Sequence, residues 1–566
     1  MIEFKNFSFQ YYVQAKPTLQ NIDLSVYEGE KIAIVGPSGS GKTTLGHAIN
    51  GLIPNIYEGT ITGDLIVDGK NPSKTSLLDM SFSCGTVLQD TDGQFIGLTV
   101  AEDMAFALEN DQTNLIEMRN QVSDWAKTLN LNNLLEYSPQ KLSGGQKQRV
   151  SMAGVLISSP PILLFDEPLA NLDPLSGKET IALIDEIASL TNTTIVIIEH
   201  RLEDVLYRDI DRIIVMKDGS IIANDTPANI LKSDILSITG IREPLYISAM
   251  KYANIDLDSV LNIERLDKIN SPSLKAKLSK WASAEGEKEE HLVKTSVLEL
   301  REINFSYQPR MPKALDDINL TINKGEMISI VGQNGAGKST LSKAITGFIT
   351  TNGKMSWQGV DFKSFSIKER ADKIGYVMQN PNQMISQKMI FDEVALGLRL
   401  RNVDEDVIVK LVEDTLKITG LYPFRNWPIA TLSYGQKKRV TIAAILVLNP
   451  DIIILDEPTA GQDYKNYSEI MRFLQELNEM GKTIIMITHD MHLMLDYSNR
   501  TLVMTDGKLI ADLSPVDVLT NIDLVNMAHL KETSLFILAQ IVGLEDPKDF
   551  TKHFINYEKK VRAYES

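Results

Sequence analysis

A mainly parallel α/β fold, present in two tandem copies, is the class this sequence predicts. Three observations predict it. The first is an internal repeat. Glu3 to Tyr11 (EFKNFSFQY) matches Glu299 to Tyr307 (ELREINFSY), the loop at Gly36 recurs at Gly332, and Gln89, Ser143 and Asp166 recur 290 residues on as Gln379, Ser433 and Asp456. Collinearity on this scale means two copies of one domain, not a solenoid of short repeats. The second is alternation. Short apolar runs alternate with stretches of helical periodicity, as strands and helices do in a parallel sheet. The third is the placement of polar residues. Two acids follow the apolar run Ile162–Phe165, at the strand end where open α/β sheets place their ligands.

The 566 residues suffice for two to four domains with full cores. A hydrophobic share of 43% and a charged share of 23% are ordinary for a soluble globular chain. The net charge of −17 disfavours a general binder of nucleic-acid backbones. One cysteine, Cys84, excludes a disulfide framework and a thiolate zinc site, and it reads as a small buried hydrophobe. No run approaches the roughly 18 apolar residues of a membrane span. Met1-Ile2-Glu3-Phe4-Lys5 lacks a signal peptide's apolar segment. The expectation is a cytoplasmic chain, with a peripheral membrane partner left open.

Each copy opens with strand-like alternation and a turn, Glu28-Gly29-Glu30 and Lys324-Gly325-Glu326. The apolar strands Lys31–Val35 and Met327–Val331 come next, then a glycine loop and a helix. Strand-like Gly85–Leu88 and Gly375–Met378 precede Gln89 and Gln379. Leu142-Ser143-Gly144-Gly145-Gln146 starts a helix: Ser143 is a good N-cap, Val150, Ala153, Gly154 and Ile157 share a face, and Pro160 stops it. Further strands are expected at Thr194–Ile198 and Thr483–Ile487. The first domain spans 1–235. A linker with helical character covers 236–296, where the charge run 285–290 reads as solvated linker. The second domain spans 297–515, and a helical extension, 516–566, closes the chain.

Gly36-Pro37-Ser38-Gly39-Ser40-Gly41-Lys42-Thr43 and Gly332-Gln333-Asn334-Gly335-Ala336-Gly337-Lys338-Ser339 fit the P-loop pattern. Glycines let the backbone amides wrap phosphates. Lys42 and Lys338 reach the β- and γ-phosphates, and Thr43 and Ser339 can hold Mg²⁺. Thr44 and Thr340, next in each helix, complete the nucleotide-binding set. Asp166 and Asp456 end apolar strands, the expected place for an acid serving Mg²⁺. Glu167 and Glu457 follow, and their functional reading is a general base for an attacking water. A lone histidine after a strand is usually structural. His200 and His489, however, both fall at the sheet edge of the P-loop and acids, which points to a γ-phosphate contact. Gln89 and Gln379, repeated in polar turns, are read as lying near Mg²⁺ and water. Tyr11 and Tyr307, upstream of the P-loop strands, can stack on a nucleobase or fill the core.

With P-loop, glutamine, Leu-Ser-Gly-Gly-Gln, Asp-Glu and histidine in this order, the chain resembles an ATP-binding-cassette (ABC) ATPase. The resemblance covers both copies. It implies two tandem P-loop NTPase domains, each a mainly parallel sheet with an antiparallel β part and a helical subdomain. It also implies ATP and Mg²⁺, and cassettes that pair head to tail, each ATP lying between the P-loop of one and the signature of the other. By that analogy Lys42, Thr43, Gln89, Asp166, Glu167 and His200 face Ser433 and Gly435. Lys338, Ser339, Gln379, Asp456, Glu457 and His489 face Ser143, Gly144 and Gly145. Asp173 and Asp463 match the acid that bridges the halves. The second signature departs from the first: Leu432-Ser433-Tyr434-Gly435-Gln436 has tyrosine in the place of Gly144. Since both copies retain the glutamate and histidine, both sites are expected to hydrolyse ATP.

Gln89-Asp90-Thr91-Asp92-Gly93-Gln94-Phe95 with Asp103-Met104-Ala105-Phe106-Ala107-Leu108-Glu109 is similar to the energy-coupling-factor (ECF), cobalt-type ATPases. Gln379-Asn380-Pro381-Asn382-Gln383 with Phe391-Asp392-Glu393-Val394-Ala395-Leu396-Gly397 repeats the theme. Fusion of both cassettes is similar to the hydroxymethylpyrimidine/thiamine-type importers. That resemblance implies a membrane T-component, a substrate-binding S-component and a location on the cytoplasmic face of the membrane. It also implies uptake of a vitamin, vitamin precursor or metal ion, with no nucleic acid as partner. The rival class is a soluble tandem cassette acting on ribosomes as a translation factor. Such proteins insert a long charged helical linker, whereas this linker is mixed and partly acidic.

Overall fold

The computed structural model describes residues 1–88, 92–170, 172–283, 295–459 and 462–565, the side chains of 92 and 563–565 excepted. Gln89 and the charge run 285–290 lie outside the described residues. The chain divides into two compact units. One is residues 1–281 with 463–465 and 537–544; the other is 282–462 with 466–536 and 545–566.

In the first unit a six-stranded sheet runs in the order Cys84–Val87, Ile162–Asp166, Thr194–Ile198, Lys31–Val35, Arg212–Lys217, Ser220–Asp225. The first five strands are parallel and the last pair is antiparallel. All five residues of Thr194–Ile198 are buried, the continuous apolar burial of a strand covered on both faces. Truncating one such isoleucine to alanine costs about 2–5 kcal/mol. Ile2–Tyr11, Leu19–Val26 and Gly59–Val67 form a separate antiparallel sheet. Its inward residues, Phe4, Phe7, Phe9 and Leu24, join the core of the parallel sheet through Ile32, Ile34 and Leu164. Helices Val100–Asn110, Leu115–Thr128 and Gly144–Leu156 follow the strand Cys84–Val87.

The second unit repeats this plan. Its parallel strands are Ile374–Val377, Ile452–Asp456, Thr483–Ile487, Met327–Val331 and Arg500–Thr505, with Lys508–Leu513 antiparallel at the edge. Its helical part has its own core, in which Ile390, Val394, Ile408, Val412, Leu416 and Val440 are buried together. Both units therefore carry the parallel core, antiparallel part and helical part that the sequence leads one to expect.

Small displacements separate expectation from structure. The strands expected at Gly85–Leu88 and Gly375–Met378 begin one residue earlier, at Cys84 and Ile374. Ile157 caps the signature helix instead of lying within it, because the chain turns left-handed at Ser159 before Pro160. Cys84 is buried as expected, and burial pushes its thiol pKa up to about 12. Residues 236–283 are a packed segment. Helices Leu245–Tyr252 and Leu274–Ala282 bury Ile247, Met250, Leu274 and Leu278, and Tyr246 OH donates to Ile263 O at 2.9 Å. The C-terminal segment is helical at Ser534–Ile541 and Pro547–Glu565. No helix among the described residues is long and apolar enough to cross a membrane.

Candidate active sites

Parallel pairing gathers the chemistry at one sheet edge. Ile34 and Asp166 both pair with Ile198, so the loop after Val35, the acids after Phe165 and His200 emerge together. In the second unit Ile330 and Asp456 both pair with Ile487, with the same consequence for Gly332, Glu457 and His489.

Each P-loop closes onto its own helix. Gly41 and Gly337 precede the helices Lys42–Ile49 and Lys338–Thr346 at φ 98, a left-handed conformation that an L side chain rarely adopts. A Cβ at Gly337 would also stand 2.4 Å from Ala314 O. Lys42 Nζ donates to Gly36 O at 2.8 Å and Pro37 O at 3.0 Å, while Lys338 Nζ donates to Gly332 O at 2.7 Å and Gln333 O at 2.9 Å. Each ammonium thus curls over its own loop. Burial lowers the pKa of Lys42, and the charge of Glu167 partly opposes this. Ser38, Gly39, Asn334 and Gly335 form the outer part of the two loops, with Gly39 at φ 78 and Gly335 at φ 83.

The acids stand behind the loops. Asp166 is pushed up to about 6, first by burial and then by the neighbouring Glu167. Its Oδ1 is buried and makes no hydrogen bond among the described residues. A buried carboxylate oxygen in that condition fits a cation, and Thr43 supplies a hydroxyl from the adjacent helix start. In the second unit Asp456 Oδ2 accepts from Ser339 Oγ at 3.1 Å and from Tyr376 OH at 3.0 Å. The serine and aspartate expected to share an ion are therefore already in contact. An acid and a hydroxyl are too few to hold Mg²⁺ alone. They suit an ion whose other ligands are phosphate and water.

Glu167 and Glu457 lie in left-handed backbone, φ 50 and φ 45, where a non-glycine residue stores about 1–2 kcal/mol. Each amide is tied across the sheet, Glu167 N to Ile198 O and Glu457 N to Ile487 O, both at 2.9 Å. That turn aims each carboxylate at its histidine. Glu167 Oε1 is 2.8 Å from His200 Nε2, and Glu457 Oε1 is 3.6 Å from His489 Nε2.

Tyr11 OH lies 3.3 Å from Thr44 Oγ1 and Tyr307 OH lies 3.2 Å from Thr340 Oγ1. Both tyrosines thus stand beside the P-loop helix. Tyr307 is 56% exposed, which leaves its ring open to a ligand and removes the core reading for it. Gln379 follows the strand Ile374–Val377, as expected. The signature helices start at Gly144 and Tyr434 with Ser143 and Ser433 as N-caps. Each start is a capping box: Gln146 Oε1 accepts from Ser143 N, and Gln436 Oε1 from Ser433 N, both at 3.0 Å. Gly145 and Gly435 lie in these first turns, where free amides make an anion site.

Sequence reasoning missed three groups. The capping glutamines were visible as Ser-x-x-Gln. Glu199 is buried, with Oε2 accepting from His200 N at 2.7 Å and Oε1 accepting from Leu169 N at 3.2 Å. Its counterpart is Thr488, so the repeat gave no signal for it. Lys438, buried behind Asp456, also has no lysine counterpart in the first copy.

Two phosphate-binding loops, each backed by an Asp-Glu pair and a histidine, define a tandem nucleotide-hydrolysing cassette protein. The family described as ABC transporter matches residues 19–170 and 315–460. The family described as ATP-binding cassette cobalt transporter matches residues 233–305. An ABC transporter ATP-binding protein of Enterococcus faecalis is 60% identical over 563 residues, 99% of each chain. One of Streptococcus pneumoniae is 57% identical over 554 residues, 98% of each chain. This chain belongs to the ABC transporter ATP-binding family and is an ATPase. It is also similar to a solved structure described as cbiO1 from Clostridium perfringens, part of the ABC transporter complex cbiONQ. That match is 35% identical with a TM-score of 0.38, over 41% of this chain and 93% of the other.

Proposed function

We propose that this chain is the energy-coupling subunit of an ECF-type importer, driving uptake of a vitamin, a vitamin precursor or a metal ion. The observation that carries this reading is the match of residues 233–305 to a cobalt-transporter family. Most of that stretch connects the cassettes and its end is the strand Ser296–Phe305 of the second, and it includes neither P-loop, signature nor acid pair, so it speaks to the kind of transporter and not to hydrolysis in general. The partners are a membrane T-component and a substrate-binding S-component, and the chain works from the cytoplasmic face as a peripheral subunit.

Each ATP is held by the backbone amides of one P-loop and by Lys42 or Lys338. To reach the phosphates each lysine exchanges its loop carbonyls for phosphate oxygens. Tyr11 and Tyr307 stack on the nucleobase. Ser143, Gly144 and Gly145 complete the site of Lys338, while Ser433 and Gly435 complete that of Lys42. Thr43, Gln89 and Asp166, and Ser339, Gln379 and Asp456, hold Mg²⁺, which when bound offsets phosphate charge. Glu167 as a carboxylate, and Glu457 once it has released the proton that burial holds on it, take the proton of the attacking water, and His200 and His489 hold the γ-phosphate and the glutamate in one frame. Preorganised donors aimed at the developing charge supply most of the rate. Domain limits at 235, 297 and 515 separate the two ATPase units from the connecting and terminal helices.

The test is recovery of the tagged chain from its native membranes in mild detergent. A multi-span membrane protein and a small substrate-binding membrane protein are expected to co-purify. Recovery with ribosomes, and with no membrane protein, would overturn the reading.

A further inference from the structure

The second signature helix, Tyr434–Leu446, carries a lysine one turn after its tyrosine. Lys438 is 1% exposed. Its Nζ donates to Met378 O at 2.8 Å, to Gln379 O at 3.0 Å and to Asp456 O at 3.4 Å. Tyr434 OH donates to the same Gln379 O at 3.2 Å. Residues four apart share a helix face, so both donors reach the same place. That place is the end of two adjacent parallel strands, where Val377 pairs with Leu455.

An ammonium has three donors and no acceptor, and here it meets three backbone carbonyls. A buried charge needs such partners, since it is otherwise severely destabilising. A glutamine amide cannot do the same work, because it brings two donors to three carbonyls and adds an acceptor of its own. The first cassette has Gly144 and Gln148 in the two places. Gln148 is 4% exposed, and its Nε2 makes no hydrogen bond among the described residues. The two changes, glycine to tyrosine and glutamine to lysine, therefore act on one target in one cassette.

We propose that Lys438 is a positioning residue of the second ATP site, clamping the carbonyls of Met378, Gln379 and Asp456 so that Gln379 and the Asp456–Glu457 pair keep a fixed spacing, with Tyr434 as its second arm. The clamp rests on the assignment of Gln379, Asp456 and Glu457 to that site. It gives Tyr434 a purpose: the departure from glycine belongs to a cassette-specific brace.

The experiment compares Lys438→Met, Lys438→Gln and Lys438→Arg in the full chain, following steady-state ATP hydrolysis and amide hydrogen exchange over residues 374–384. Lys438→Gln installs the residue that the first cassette already folds around. The Met and Gln variants are expected to lower kcat by up to about half, the share of one of two hydrolysing sites, with KM for ATP within about twofold, since small misplacements at a reacting centre are costly. Exchange over 374–384 is expected to quicken about tenfold, and Lys438→Arg is expected to restore both readouts. Unchanged kcat and exchange in the Met and Gln variants would overturn the clamp. So would a loss shared equally by kcat and KM and not restored by arginine. Glu457→Gln, measured alongside, separates the two ideas. If it leaves turnover untouched, the site assignment fails; if it lowers turnover while Lys438→Met does not, the clamp alone fails.

Discussion

His200 Nε2 lies 2.8 Å from Glu167 Oε1, whereas His489 Nε2 stands 3.6 Å from Glu457 Oε1. The same turn in the same fold thus produces two different carboxyl groups. Burial raises the pKa of Glu167, but the hydrogen bond and charge of His200 and the charge of Lys42 outweigh it, and the net shift is downward. Glu457 is pushed up to about 8, first by burial and then by Asp456, with Lys338 opposing and Asp490 adding to the rise.

The upward shift has a consequence for stability. Between about pH 4.5 and about pH 8 the folded chain keeps a proton on Glu457 that the unfolded chain has released, so folding stability falls as pH rises through that window. Glu167, shifted downward, has the opposite sign: its contribution is present above its unfolded value and is lost as pH falls. Calorimetry of the nucleotide-free protein across that window should show a smaller loss of Tm in Glu457→Gln than in wild type. Equal slopes would contradict the burial account of Glu457.

Lys42→Ala and Lys338→Ala each remove a charged donor to phosphate. Such bonds are worth about 1.5–3 kcal/mol, which corresponds to about tenfold to a hundredfold weaker ATP binding at the altered site. Titration with a fluorescent ATP analogue checks this, and unchanged affinity in either variant would contradict the P-loop assignment.

Tyr11→Ala and Tyr307→Ala should weaken ATP by about 0.5–1.5 kcal/mol while leaving inorganic tripolyphosphate binding unchanged. Competition binding with the two ligands separates a ring that stacks on the base from one that only packs beside Thr44 or Thr340.

Gly41→Ala tests the loop itself. At φ 98 the added Cβ would lie 2.9 Å from Leu19 Cδ2 and 3.0 Å from Thr18 O. A loss of about 1–3 kcal/mol is expected, read from the urea midpoint at constant slope. A wild-type midpoint would mean that the loop relaxes without strain.

Much of this fold is legible in the sequence because its signals are local. The strands Lys31–Val35 and Thr194–Ile198 each carry four consecutive buried aliphatic residues after a polar first residue, and their bounds match the sequence expectation. The signature helix is marked by Ser143, a cap whose hydroxyl accepts from Gln146 N. The P-loops carry their own spacing. What escaped is long-range or specific to one copy. Glu199 acts through amides of two separate turns, and Thr488 replaces it in the other cassette. Lys438 stands in the polar run Gln436-Lys437-Lys438-Arg439, and only the packing of two strand ends beneath it makes it internal. The unequal histidine–glutamate distances depend on sub-ångström packing that no residue pattern encodes.

Hydrolysis at both cassettes through Glu167 and Glu457 is most directly tested in the chain carrying Glu167→Gln and Glu457→Gln together. A positioned base contributes about 10²–10⁴-fold, so phosphate release should fall by at least that factor while ATP is still bound at both P-loops. Phosphate release near the wild-type rate in the double variant would contradict the assignment.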